Sequence, residues 1–197
     1  MTGINFVTEA ELIAALQQQE AAAFQHLFDR YADKIYRLAL GLLHDEVEAE
    51  GVVQDSFMRV IERIDQFEGR AQIGTWIYRI AHNLSQDRLR RRQRLGHLNE
   101  DLSVDGDITP QILVDWSHSP EEALSEHELT DAIIQAVDTL SLNLRAVFIL
   151  RDIDGLSTEE TAAALELSPS AVKVRLHRAR LQIREILSAQ FEPLLRN

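Results

Sequence analysis

The feature that most limits how this chain can fold is the spacing of its large apolar residues between positions 24 and 84. Phe24, Leu27, Phe28, Tyr31, Ile35, Leu38 and Leu42 recur at three- and four-residue steps, and so do Val53, Phe57, Val60, Ile61 and Ile64. A third set comprises Ile73, Trp76, Ile77, Ile80, Ala81 and Leu84. At about 100° of rotation per residue, each set lines one side of an α-helix. Three such stripes, with a shorter one at Leu12, Ile13 and Leu16, close a bundle whose apolar faces meet. Only 8 Gly and 4 Pro interrupt 197 residues rich in Ala, Leu, Glu, Gln and Arg, so an all-α protein is expected.

The absence of cysteine excludes a disulfide and a thiolate metal site and suits a reducing compartment. The amino terminus, MTGINFVTEAELIAAL, has neither a basic region nor a continuous apolar core, and no apolar run approaches the ~20 residues that span a bilayer. A cytoplasmic protein without direct membrane insertion is expected.

The formal net charge of −12 conceals a strong asymmetry. Eleven acidic residues and no Lys or Arg lie between Leu95 and Leu140. By contrast, Arg70 to Arg94 holds seven Arg against Asp87 alone, and Lys173 to Arg184 holds five basic residues and no acid. Nucleic-acid binding depends on such local patches, so the overall acidity does not exclude it.

Helical periodicity fails between Gly96 and about Ser125, where Gly96, Gly106, Pro110 and Pro120 punctuate the chain. This reads as an acidic tether between domains, with a helix restarting at Ser119-Pro120. The expected division is a helical bundle over 1–95, a linker over 96–127 and a second small helical domain over 128–197.

The most specific local signal is LSTEETAAALELSPSAVKVRLHRARLQIREIL, Leu156 to Leu187. Ser157 and Glu160 form the S-x-x-E capping box of a short helix, and Ser168-Pro169 supplies the cap and first residue of the next. Two helices joined so tightly make a helix-turn-helix. On the second helix Val172, Leu176, Ala179, Ile183 and Leu187 share the inward face. Lys173, His177, Arg180 and Arg184 fall on a flank, with Ser170, Val174 and Leu181 opposite the core. A polar, basic outer surface near a helix start suits entry into a DNA major groove.

The segment LRAVFILRDIDGLSTEETAAALELSPSAVKVRLHRARLQIREIL resembles the promoter-recognition domain of extracytoplasmic-function (ECF) sigma factors, two-domain bacterial transcription initiation factors. In the first half FQHLFDRYADKIYRLALGLL, EAEGVVQDSFMRVIERIDQFEG and GTWIYRIAHNLSQDRLRRRQR resemble, in order, that family's polymerase-binding and minus-ten-reading domain. The resemblance runs from about Ala22 to Leu187. It implies a non-catalytic subunit that binds core RNA polymerase, directs it to promoters with minus-thirty-five and minus-ten elements, and helps to open the duplex. No cofactor, metal or small-molecule substrate is expected.

The resemblance also implies site residues. Val52, Gln54 and Asp55 match the helix that docks on polymerase. Phe67, Gly69, Arg70, Ala71 and Gln72 match the loop that captures a flipped minus-ten base, with Asn83 lining the same site. Trp76 fits either the upstream edge of the melted region or the core. Ser170, Lys173, Val174, His177 and Arg178 occupy minus-thirty-five-reading positions, with Arg175 and Arg180 suited to phosphate; His177 fits a surface histidine equally. Arg88, Arg90, Arg91, Arg92 and Arg94 point in several directions and suit DNA phosphates. Gly51, Arg70, Ile73 and Gly74 depart from the family pattern, so the minus-ten preference does not carry over. The acidic linker matches the connector that threads the polymerase cleft, and an inhibitory anti-sigma factor is an implied partner.

A conventional helix-turn-helix regulator is the alternative, but it leaves the first-half motifs unexplained. The His44/Glu48 pair lacks a third metal ligand at a supporting spacing, and no phosphate loop or nucleophile elbow favours an enzyme.

Overall fold

The computed structural model describes Phe6, residues 8–95 and residues 126–195. Those residues form eight α-helices in two helical domains, with no strand among them. Helix α1 (Glu9–Gln17) begins in a capping box: Glu11 N donates to Thr8 Oγ1, and Thr8 N donates to Glu11 Oε2. Helix α2 (Ala21–Leu43) ends at His44, whose left-handed backbone (φ 49°) turns the chain. Asp45 then caps α3 (Glu46–Arg63), accepting from Glu48 N at 2.9 Å. A 3-10 turn, Ile64–Gln66, leads to α4 (Ile73–Arg94).

The apolar stripes meet as their spacing requires. Leu27, Ile35, Leu38, Leu42, Val52, Val60, Ile77 and Ala81 are fully buried between α2, α3 and α4. Each large aliphatic side chain among them contributes roughly 1.5–3 kcal/mol on burial. Two expected core members do not belong there. Ile61 stands about 100° past Val60 on α3 and is 40% exposed, and Phe28 is exposed with its ring leaning on Phe57.

The second domain comprises α5 (Glu126–Asp138), α6 (Leu142–Phe148), a π-helical turn (Ile149–Ile153), α7 (Thr158–Leu165) and α8 (Pro169–Leu195). The Ser157/Glu160 capping box is formed, with bonds of 2.7 and 3.1 Å, and it holds the Glu160 carboxyl below its usual pKa. Ser168 Oγ accepts from Ala171 N at the start of α8. Val172, Leu176, Ala179 and Ile183 face inward and Leu187 packs beside them. The helix start expected at Ser119-Pro120 lies outside the described residues.

Separate domains on a tether would each enclose its own core. The structure instead runs one continuous core from α1–α4 into Leu142, Ala146, Val147, Ile149, Leu150, Ala162, Leu165, Val172 and Leu176. A smaller cluster, Ala136, Val137, Leu140, Leu144, Ala179 and Ile183, lies under α5, α6 and α8. Arg145 ties the two together. Its buried guanidinium donates to the carbonyls of Val137 and Leu140 in its own domain and of Gly41 in α2.

Among the described residues no helix is long and apolar enough to cross a membrane, and no group of three His, Asp or Glu side chains is placed to hold a metal ion.

Candidate promoter and polymerase interfaces

The arginine run at the end of α4 divides into two kinds of residue. Arg90, Arg91 and Arg94 are exposed, with Arg90 loosely paired to Asp87 at 3.4 Å. Arg88 and Arg92 are not free for phosphate, which corrects the expectation for both. Arg88 is 17% exposed and reaches Glu48 at 2.8 Å and Asp55 at 2.6 Å. Arg92 donates to Asp45 and to the Leu43 carbonyl, both at 2.9 Å. These bonds lash α4 to α3, and charge-assisted pairs of this kind are the stronger hydrogen bonds. Gly51 belongs to the same device: a Cβ there would lie 3.0 Å from Arg88 Nη2. The absence of a side chain at Gly51 therefore leaves Arg88 room to cross α3.

On α3 the expected docking residue Val52 is fully buried, so it is core rather than interface. Gln54 and Asp55 are exposed, and Asp55 is the partner of Arg88. Sequence reasoning missed Val47 (78% exposed), Met58 (54%) and Ile61. With Gln54 they lie within roughly 80° of one another and opposite the buried face of α3. The steps from 47 to 54, 58 and 61 were the available signal, but they were masked by the denser core stripe beside them.

The loop before α4 and the start of that helix line a cavity of about 230 Å³ formed by Phe67, Arg70, Ala71, Thr75, Trp76 and Arg79. Trp76 is half-buried with its ring 5.1 Å from that of Phe67, so it is both a packing group and a cavity wall. Gly69 adopts φ 67° at the loop's tip, and Gln72 is exposed just before α4. Arg70 pairs with Glu68, yet both are so exposed that the pair holds Arg70 only weakly. Asn83 joins Trp76, Arg79 and Arg59 around a neighbouring cavity of about 230 Å³, and it also lines a cavity of about 580 Å³ with Arg59, His82, Arg90 and, from the second domain, Arg175. Arg59 was missed because it comes from α3 and meets Trp76 and Asn83 only through tertiary packing, whereas Arg79, three residues after Trp76 and four before Asn83 on α4, was available from helical spacing.

On α8, Ser170 and Lys173 are exposed at the helix start, and Val174, Arg175, His177 and Arg178 are partly exposed along it. Arg180 is different. It makes a bidentate pair with Asp152 at 2.6 and 2.8 Å, and hydrogen bonding to that carboxylate raises its pKa. Two of its five donors and the facing charge of Asp152 serve the π turn, which weakens its expected phosphate role.

A bundle with an exposed apolar helix stripe, an aromatic-walled loop cavity and a helix-turn-helix with a cationic outer face defines a class: a two-domain helical protein with surfaces suited to nucleic acid and to a protein partner. The Sigma-70 region 2 family matches residues 27–95, and the Sigma-70, region 4 family matches residues 130–183. The chain is 34% identical over 177 residues to the ECF RNA polymerase sigma factor SigW of Bacillus subtilis, covering 89% of this chain and 94% of that protein. It is 30% identical over 196 residues to the RNA polymerase sigma-H factor of Pseudomonas aeruginosa, covering 95% and 96%. Among solved structures it is similar to CnrH in complex with the cytosolic domain of CnrY, with a TM-score of 0.63, 27% identity and coverage of 90% and 96%. This chain belongs to the ECF RNA polymerase sigma factors, and it is a promoter-specificity subunit of RNA polymerase.

Proposed function

We propose that α3 docks this chain on core RNA polymerase through Val47, Gln54, Met58 and Ile61, with α4 and its preceding loop reading the minus-ten element and α8 the minus-thirty-five element. The observation that carries the docking assignment is the exposed apolar stripe of α3, which no described residue covers. Large exposed apolar side chains aligned on one helix face suit a protein partner.

In this reading the Phe67–Trp76 wall stacks an extruded base, and Arg70, Arg79 and Asn83 meet its edge or the neighbouring backbone. Ser170, Lys173, Val174, His177 and Arg178 face base edges, with Arg175 on phosphate. Arg90, Arg91 and Arg94 supply non-specific phosphate affinity. The first domain spans 1–95, and the second begins by Glu126, where α5 starts, two residues before the expected bound at 128. The chain acts in the cytoplasm and contributes no catalytic group; an anti-sigma factor is a further partner, as for RpoE with the anti-sigma factor NepR from Bartonella quintana.

Substituting Met58→Asp and Val47→Asp together tests the docking face. Core-polymerase affinity should fall at least about tenfold while helicity and melting temperature stay unchanged. Unchanged affinity would remove α3's outer face from the interface.

A further inference from the structure

Helix α4 begins immediately after the base-capture loop, and its own segment does not cap it. Gln72, at the cap position, has extended backbone and makes no side-chain bond to the first turn. Ile73 is 2% exposed, which leaves little room for water at its N–H. The partner comes from 64 residues upstream: Ile73 N donates to Glu9 Oε1 at 2.5 Å. Glu9 is the first residue of α1, where the Thr8/Glu11 capping box fixes the helix start. One carboxylate thus stands at the amino ends of two helices, where both dipoles favour negative charge.

The same turn of α4 is seated on α2. A Cβ on Gly74 would overlap Tyr31 Oη and its ring, so the glycine lets α4 settle directly against the phenol. Burial raises the Tyr31 pKa, and the nearby Glu9 carboxylate adds to the rise.

These contacts border the proposed minus-ten site. The loop from Phe67 to Ile73 is anchored at both ends, by Phe67 N donating to the Ile64 carbonyl at 3.0 Å and by Ile73 N donating to Glu9. Between the anchors Glu68, Gly69, Arg70 and Gln72 are exposed, and Gly69 has no neighbouring atom on the side where a Cβ would project. Trp76, in the first turn of α4, faces Phe67 at 5.1 Å. The gap in which a base would stack is consequently set by the pose of that first turn, and Glu9 holds the turn from outside.

We propose that Glu9 is a positioning residue for minus-ten reading: by capping α4 from α1 it fixes the end of the capture loop and the angle of Trp76 to Phe67, and so sets how selectively the loop holds an extruded base, without touching DNA. The inference rests on the minus-ten assignment above. Walls locked by bonds from neighbouring elements discriminate better, because a loosely held wall accommodates a wrong base nearly as well as the right one.

The full-length wild type, Glu9→Ala, Glu9→Gln and Phe67→Ala, each bound to core polymerase, would be compared on single-stranded non-template oligonucleotides. These carry each of the four bases in turn at every position of the downstream element recovered from a randomised promoter library. The captured position is the one at which Phe67→Ala abolishes discrimination. There Glu9→Ala should lower discrimination severalfold to about tenfold, while affinity for core polymerase and for minus-thirty-five duplex stays unchanged. In the free protein the same variant should speed hydrogen exchange across residues 70–76 but not in α2. Glu9→Gln, whose amide oxygen still accepts from Ile73 N, should stay within about threefold of the wild type.

Undiminished discrimination in Glu9→Ala, a loss spread evenly over both promoter elements and core affinity, or a Glu9→Gln as deficient as Glu9→Ala would overturn the proposal. Phe67→Ala separates the two claims. If it too leaves every position unchanged, the minus-ten assignment falls and the proposal with it; a loss in Phe67→Ala with none in Glu9→Ala removes Glu9 alone.

Discussion

Helices α4 and α8 each carry a dense run of cations, and the structure uses the two runs differently. In α4 two of the five clustered arginines, Arg88 and Arg92, are spent on Glu48, Asp55, Asp45 and a carbonyl, and only Arg90, Arg91 and Arg94 face solvent. In α8 Arg180 is held by Asp152, while Lys173 stands free at the helix start. The density of positive charge in a sequence therefore overstates the number of phosphate contacts, because a partly buried guanidinium finds a carboxylate before it finds DNA.

The largest break in this comparison is Arg88→Ala. It leaves Glu48 and Asp55 without their shared partner, and the first domain should lose about 2 kcal/mol, read as a lower denaturant midpoint. Arg91→Ala, at an exposed position in the same run, should leave that midpoint unchanged.

A drop in pH should have a comparable effect where the two domains meet. Burial holds the His82 imidazole at a pKa of about 4, helped by repulsion from Arg175 and Arg90. Its ordinary value is 6.5, so below that pH a separated or unfolded state takes up a proton that the packed state refuses. Stability supplied by neutral His82 is complete above pH 6.5 and is lost as pH falls toward 4, about 2 kcal/mol between pH 7 and 5. Asp154, with its carboxyl pKa raised, acts in the opposite sense at lower pH. Urea midpoints measured from pH 7 to 5 should decline for the wild type and flatten for His82→Gln.

Smaller effects separate bound from free cations on DNA. Lys173→Ala should cost about 1 kcal/mol in minus-thirty-five duplex affinity, whereas Arg180→Ala should cost a few tenths once the loss to the Asp152 pair is discounted. Replacing Arg91 and Arg94 by Ala should lower the log-salt slope by about 2 and weaken all promoters alike. A changed promoter preference at constant slope would mean that these arginines read bases.

Much of this molecule was legible in the sequence, and the illegible parts share a cause. The helices of the first domain follow from one dominant apolar period, and α7 and α8 from caps whose partners lie three residues away. Ile61 was misplaced because α3 carries two apolar stripes, one of them facing outward. Arg88 and Asp55 are 33 residues apart, and Tyr78 and Asp154 are 76 apart. Local spacing cannot pair such residues, nor can it show that α6, α7 and the π turn close against α2 and α4. A glycine at position 51, in the middle of α3, is intelligible only in three dimensions, where Arg88 crosses it.

The central claim is that two separate surfaces of one chain read two promoter elements for core polymerase. Transcription from a randomised promoter library with purified core polymerase tests it most directly. The account predicts specific starts that report two elements, with Lys173→Ala altering only the upstream one and Asn83→Ala only the downstream one. No specific starts, or a single element shifted by both substitutions, would contradict it.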